Sequence, residues 1–199
     1  MKAINILSIA LVLILVSCSK RKATSVNYIS SKTLAETSTA PEGITCYDEQ
    51  DKLLFSAPLA SSGKIVLKDK SLDFKPNSSG DKIKFYDQDG REAFHIKIKP
   101  DSWKLRTPDS QLIFKVKTSS DKLKVSTQED MSESVEWKLK NGKFYQGDKE
   151  FTPKEDGLFT VLADKKISKL NNYLSLSLLL DRRMQLAHSS ALLIVMNQQ

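Results

Sequence analysis

The amino-acid sequence predicts a mainly β fold, in which an antiparallel, barrel-like sheet of repeated hairpins closes around a hydrophobic C-terminal helix. Apolar and polar residues alternate from Gly43 onward in short runs bounded by Asp, Gly, Asn and Ser, which is typical of strands joined by turns. A motif of Tyr or Phe, an acidic or Gly-containing turn and a second Phe recurs along the chain. After Asn172 the period of two gives way to an almost unbroken apolar run, which favours a buried helix.

Composition narrows the function classes. The chain has 199 residues, with 31 Lys and Arg against 24 Asp and Glu, and only two Cys and two His. These counts fit one domain after a leader, and they exclude a disulfide scaffold or a zinc site built mainly from thiolates. No phosphate-binding Gly loop, paired catalytic-acid motif or nucleophile elbow is present in the sequence. We therefore predict no metal, no cofactor and no nucleic-acid partner.

Residues 1–17 are typical of a bacterial lipoprotein signal peptide. Lys2 precedes an apolar run that ends before the roughly 20 residues needed to cross a bilayer. The segment Leu15-Val16-Ser17-Cys18 resembles the lipobox, in which the cysteine thiol accepts a diacylglyceryl group and the chain is cut before it. Ser19 resembles the outer-membrane sorting pattern of some bacteria with two membranes. The alternative is an ordinary leader with a cysteine nearby by chance.

Residues 18–42 predict a lipidated, flexible tether, because Ser and Thr are frequent and bulky side chains are few. Residues 43–199 form the predicted domain. Lipidation at Cys18 would make the membrane the first partner of this protein and place it in the cell envelope, in the outer membrane if the sorting pattern holds.

The predicted hairpins begin with the segments Tyr47–Phe55 and Tyr86–Phe94, which share Tyr, Asp, a basic residue and Phe. Thr107–Phe114 and Phe144–Phe151 are looser copies of the same pattern. Asp89-Gly90 in the second copy is a strong hairpin signal, because Gly accepts the positive φ that such turns need.

The apolar C-terminal run has two parts, Tyr173–Leu180 and Met184–Met196, which Asp181-Arg182-Arg183 separates. Leu, Met, Ala and Gln favour a helix here, and Asn171-Asn172 is a suitable N-terminal cap. Each part is too short to cross a bilayer. We therefore expect the helix to thread the barrel and to lie in the domain core.

Two features together resemble the tubby-like superfamily and, within it, the LURP-one-related branch. They are the Tyr-Asp-x-x-x-basic hairpins, Ile83 to Lys99 in particular, and the terminal segment Leu174–Asp181. The resemblance covers about residues 43 to 181. It implies a barrel threaded by its last helix and a domain that binds phosphoinositides or anchors to membranes, but it carries over no individual binding residue. The alternative is another antiparallel barrel or sandwich with a packed terminal helix.

Few residues are candidates for catalysis. Cys46 and His95 could form a nucleophile and base only if the fold brought them together, and Cys46 in its strand is better explained as a small buried hydrophobe. Asp87 and Asp89 start like a calcium loop, but the later ligand positions do not match, so a turn is predicted. His188 is expected to cap or to lie at the surface. An envelope hydrolase or transferase with a dispersed site, built first from Cys46, His95 and Asp87, remains the alternative to a non-enzymatic protein.

Lysines alternate with apolar residues in four segments, so they are expected to share the outer face of the sheet. A basic surface of this kind suits anionic lipid headgroups or another polyanion. The alternative is a solvated exterior whose lysines discourage edge pairing. The sequence therefore predicts a lipid-anchored bacterial envelope protein with a non-catalytic binding or scaffolding domain; a purely structural component is a third option. The candidate binding lysines are Lys97, Lys99, Lys115, Lys117, Lys122, Lys124, Lys138 and Lys140.

Overall fold

The computed structural model describes residues 43–168 and 170–198. The predicted leader, Cys18 and the tether up to residue 42 lie outside the described residues. Fifteen antiparallel strands form one sheet, followed by a 3₁₀ helix, Tyr173–Leu179, and helix α1, Leu186–Asn197. The strands are β1 (Gly43–Asp48), β2 (Leu53–Pro58), β3 (Gly63–Leu67), β4 (Ser71–Pro76), β5 (Lys82–Tyr86), β6 (Glu92–Lys99), β7 (Ser102–Arg106), β8 (Leu112–Thr118), β9 (Lys122–Ser126), β10 (Val135–Lys140), β11 (Lys143–Gln146), β12 (Lys149–Phe151), β13 (Lys154–Asp156), β14 (Phe159–Leu162) and β15 (Lys165–Ser168).

The sheet curls because its two edges belong to one stretch of chain. Strands β1 to β12 follow one another across the sheet, and β15, β14 and β13 continue it beyond β1, so β12 and β13 are the edges. Only Thr152 and Pro153 separate Phe151 from Lys154, so these two residues are at most about 11 Å apart. The mainly β, antiparallel and barrel-like fold predicted from the sequence is confirmed.

Strands β12 and β13 also run in the same direction. An even number of antiparallel steps around the sheet separates β11 from β14, so those two strands are parallel. Since β12 is antiparallel to β11 and β13 is antiparallel to β14, the edge strands are parallel as well. Lys149–Asp156 is therefore one extended segment whose first half pairs with β11 and whose second half pairs with β14.

The repeated motif forms hairpins β1–β2, β5–β6, β7–β8 and β11–β12, as predicted. In β5–β6 the Asp87 N–H donates to the Arg91 carbonyl at 2.9 Å, and the Gly90 N–H donates to the Asp87 carbonyl at 3.0 Å. Gly90 has a φ of +76°, which corresponds to a turn followed by a left-handed bulge residue. Asp51 takes the equivalent position in β1–β2 with a φ of +56°, since Asp also tolerates this region.

The C-terminal run forms two helical segments instead of the single predicted helix. The Asn172 side chain caps the 3₁₀ helix by accepting the Ser175 N–H, which confirms the predicted cap. At the C-terminal end of α1, Asn197 Oδ1 accepts the Asn172 N–H at 2.8 Å, and Asn197 Nδ2 donates to Ser175 Oγ at 3.0 Å. Because the last turn of α1 lies beside the start of the 3₁₀ helix, the two segments are antiparallel.

Both segments lie in the core. Leu192, Leu193 and Ile194 have no exposed surface, and every residue from Ala191 to Asn197 is buried. Helix α1 is about 18 Å long, close to the length of a five- or six-residue strand, so it spans the sheet. In the part of the chain that the structure describes, no helix is long and apolar enough to cross a membrane.

Candidate functional site

Six consecutive strands, β5 to β10, carry twelve Lys and Arg but only two Glu. Their apolar neighbours in sequence point into the core, so the charged side chains lie on the outer face. The face includes all eight predicted lysines and four cations that were not predicted, although Lys82-Ile83-Lys84 and Lys104-Leu105-Arg106 show the same alternation. We call the following twelve residues the basic face: Lys82, Lys84, Lys97, Lys99, Lys104, Arg106, Lys115, Lys117, Lys122, Lys124, Lys138 and Lys140.

The strand register arranges these cations in rows. Lys97 lies directly opposite Lys82 on one side and Lys104 on the other, and Lys104 lies opposite Lys115. Like charges placed directly opposite each other destabilise a sheet. The register therefore places like charges side by side at some cost to the stability of the sheet.

The loop between β9 and β10 neutralises part of the basic face. Glu129 accepts a hydrogen bond from Lys104 Nζ at 2.6 Å and also binds the Arg106 guanidinium, while its backbone carbonyl accepts Lys115 Nζ. The hydrogen bond from Lys104, with the charge of Arg106, lowers the pKa of the Glu129 carboxyl. Glu129 therefore stays ionised over these strands at lower pH than an isolated Glu would.

Strand β10 supplies a second carboxylate. Glu136 lies 3.1 Å from Lys124 Nζ and 3.2 Å from Lys138 Nζ. Six lysines of the basic face form no ion pair within 4 Å and no side-chain hydrogen bond to any described residue. They are Lys82, Lys97, Lys99, Lys117, Lys122 and Lys140.

His95 belongs to a small polar cluster on the same strands. Its Nδ1 lies 2.8 Å from Glu92 Oε1, and Lys84 Nζ donates to Glu92 Oε2 at 2.7 Å. Burial opposes ionisation of Glu92, but the hydrogen bonds from Lys84 and His95 outweigh it and lower the pKa of this carboxyl. His95 is only 3% exposed, so the cluster anchors its imidazole within the sheet.

The three residues of the catalytic alternative do not come together. Cys46 lies in the core opposite Phe55 and Ile167, whereas His95 is five strands away and bound to Glu92. Burial raises the pKa of the Cys46 thiol to about 12, so it is not a thiolate near neutral pH. Asp87 accepts backbone N–H groups of its own turn, as the turn interpretation predicts.

His188 is half-buried, so the expected surface position holds only in part, and its ring lies among aromatic rings. Its ring meets Phe94 edge-on with centroids 5.2 Å apart, and Phe114 lies 6.4 Å away. Burial, with a contribution from Lys70, lowers the pKa of His188. Within the described ranges no group of three His, Cys, Asp or Glu side chains is placed to hold a metal ion.

A cleft of about 760 Å³ opens at the end of the barrel where β14 turns into β15. It was missed in the sequence because its lining comes from five separate segments without a shared motif. Its apolar lining is Val135, Phe151, Ala163, Leu179 and Leu180, and its polar lining is Gln146, Lys149, Asp164, Lys165, Asp181, Arg182 and Arg183.

Comparison with known proteins identifies a family for this chain. A family model described as LURP-one-related matches residues 33–197, which includes every described strand and both helical segments. No curated protein and no solved structure matches the chain.

Proposed function

The chain belongs to the LURP-one-related family, and from this premise we propose that it is a non-catalytic binding protein that is anchored in the bacterial envelope by a lipid at Cys18. Its basic face contacts anionic lipid headgroups. The outer membrane is the proposed location, because Ser19 follows the lipidated cysteine.

The basic face is the observation that carries this proposal. Six of its lysines have no acidic partner within 4 Å among the described residues, and several face one another across the strands. A polyanion would relieve this repulsion and gain about 1 kcal/mol for each lysine close to an anionic membrane. Asp81, Asp101 and Asp121 occupy successive turns at one end of these strands, so the positive charge is concentrated on the wall of the barrel.

The anchor supports the same location. The sequence Leu15-Val16-Ser17-Cys18 lies outside the described residues, and its role rests on its resemblance to the lipobox. Two or three acyl chains hold a protein stably on a membrane. A domain held close to the bilayer in this way needs only weak further contacts to stay in place.

A non-enzymatic role is supported by the surroundings of the candidate catalytic groups. The Cys46 thiol is protonated and buried, and His95 is committed to Glu92. Neither group faces the other, so the nucleophile and base of the hydrolase alternative are separated.

Vesicle binding tests the lipid contact. Protein from Ser19 to Gln199, which carries no acyl chain, is sedimented with vesicles containing phosphatidylglycerol. Changing four lysines of the basic face to Gln should lower the partition coefficient several-hundred-fold, since about 4 kcal/mol is lost. The four are Lys82, Lys97, Lys99 and Lys117.

The matched control removes the same charge elsewhere. Lys52, Lys68, Lys70 and Lys154 are exposed residues outside the basic face, and their change to Gln should leave most of the binding. Equal losses in the two variants would show that net charge, and not this face, drives binding. No binding of the unaltered protein to anionic vesicles would refute the lipid contact.

The anchor is tested in cells. Cys18→Ala in the full chain should abolish labelling by a palmitate analogue and release the protein from the membrane fraction. Retention in membranes at high salt without labelling would mean that another anchor exists.

A further inference from the structure

The cleft at the end of the barrel results from incomplete pairing where the sheet closes. The first half of Lys149–Asp156 pairs with β11 alone, whereas the second half pairs with β14. The β14–β15 turn at Ala163 and Asp164 lies across the opening from β12. A gap therefore remains between the β14–β15 turn and β12. The turn that joins the 3₁₀ helix to α1 covers the inner side of this gap.

An internal ion pair stabilises the turn between the 3₁₀ helix and α1. Asp181 is 5% exposed and accepts Arg183 Nε at 2.9 Å and an Arg183 terminal nitrogen at 2.6 Å. The same guanidinium donates to the Val125 carbonyl at 3.2 Å. Arg182 lies between these two fixed residues, so the turn places it in the lining of the cleft.

The cleft contains more positive than negative charge. Lys165 Nζ is paired with Asp164 at 2.6 Å, and Arg183 is paired with Asp181. Lys149 and Arg182 are exposed, and neither has an acidic partner within 4 Å among residues 43–168 and 170–198. Two cations are therefore available to a ligand.

Apolar side chains line the rest of the cleft. Phe151 and Leu180 are half-buried, and Leu179 is 9% exposed. The Phe151 ring contacts the buried Trp137 ring, with centroids 5.6 Å apart. The volume is within the range of small-molecule sites, which combine apolar walls with a few charged groups and recur at the mouths of β-barrels.

We propose that this cleft binds an amphipathic anion, a molecule with an apolar chain and a carboxylate or phosphate at one end. The chain packs against Phe151, Leu179 and Leu180, and the anionic group lies between Lys149 and Arg182. A purely polar anion would leave the apolar lining in water, and a cationic amphiphile would meet uncompensated positive charge.

This site is separate from the proposed lipid-binding face. The chain enters the barrel at Gly43, and β1 ends at Asp48, which pairs with Lys165 in the lining of the cleft. The cleft thus lies about 17 Å along β1 from the point where the chain enters. Its lining contains no residue of the basic face, so either proposal can fail without the other.

Dodecanoate below its micellar concentration is the probe, added to protein from Ser19 to Gln199. Calorimetry measures its affinity, and tryptophan emission reports binding because Trp137 packs under Phe151. Changing both Lys149 and Arg182 to Ala should weaken the affinity at least about tenfold, as expected when charged hydrogen-bond partners are lost.

The control variant changes Lys52 and Arg91 to Ala, two exposed cations in turns at the same end of the barrel. Its affinity should equal that of the unaltered protein, and acetate and dodecyltrimethylammonium should not bind measurably. Dodecyl phosphate should bind through the same two cations. The proposal is overturned if dodecanoate does not bind, if the cationic amphiphile binds equally well, or if both double variants lose the same affinity.

Discussion

Two leucines in opposite environments test whether the C-terminal segment is the core of the domain. Leu193 in α1 has no exposed surface, whereas Leu158 in the β13–β14 turn is 42% exposed. Leu193→Ala leaves a cavity inside the barrel and should lower the free energy of unfolding by about 2–5 kcal/mol. Leu158→Ala removes the same atoms from the surface and should change the free energy of unfolding by less than about 0.5 kcal/mol.

Removing the whole C-terminal segment should lower the free energy of unfolding several times as much. The leucines at 174, 176, 178 and 192, like Leu193, are at most 7% exposed, so several comparable losses follow if the segment is removed. At about 2–5 kcal/mol each, these losses exceed the 5–15 kcal/mol by which a typical domain is stable. Protein that ends at Leu170 should therefore not fold, because the inner face of the sheet would have nothing to pack against.

Urea unfolding and thermal melting, both followed by circular dichroism, measure these two effects. For a domain of this size, each kcal/mol corresponds to a shift of about 2–4 °C in Tm, so Leu193→Ala should melt at a clearly lower temperature than Leu158→Ala. Equal stability of these two variants would refute the core assignment. A cooperative transition in protein ending at Leu170 would refute it independently.

Two further predictions follow from buried titratable groups. Because burial raises the pKa of Cys46 to about 12, a maleimide should label this thiol only after denaturation, and rapid labelling of the native protein would contradict its burial. The pKa of His188 is lower in the folded protein than in the unfolded chain, so the unfolded state takes up more protons and stability should fall as the pH drops below about 6.5. His188→Gln should reduce this acid sensitivity in urea titrations, and an unchanged pH dependence would show that other groups cause it.

The hairpins were predictable because their determinants are local. In Tyr86–Phe94 the turn depends on Asp87, which accepts N–H groups of its own loop, and on Gly90, which adopts a positive φ. The outward position of the lysines also follows from the two-residue period of a strand. Lys82 and Arg106 were accessible to the same reasoning but were not included.

The C-terminal segment was predictable only in part. Its apolar character predicted burial, which the structure confirms, and the Asn172 cap was identified correctly. The turn at Asp181 was not predicted, because a charged interruption in an apolar run does not show whether a helix continues or reverses. Two hydrogen bonds decide this, one from the Asn172 N–H to Asn197 and one from Asn197 to Ser175, and they join residues more than 20 positions apart.

The sequence by itself determined the strand pattern, the hairpin turns, the burial of the terminal segment and the side of the sheet on which the lysines lie, since each depends on neighbours within a few residues. Only the tertiary structure decided how the sheet closes, which cations face one another, and that Lys149 and Arg182 line one cleft. These features depend on register and on contacts between distant segments. A one-residue change in register would move every side chain of a strand to the opposite face of the sheet. No local pattern specifies which other strand a given strand pairs with.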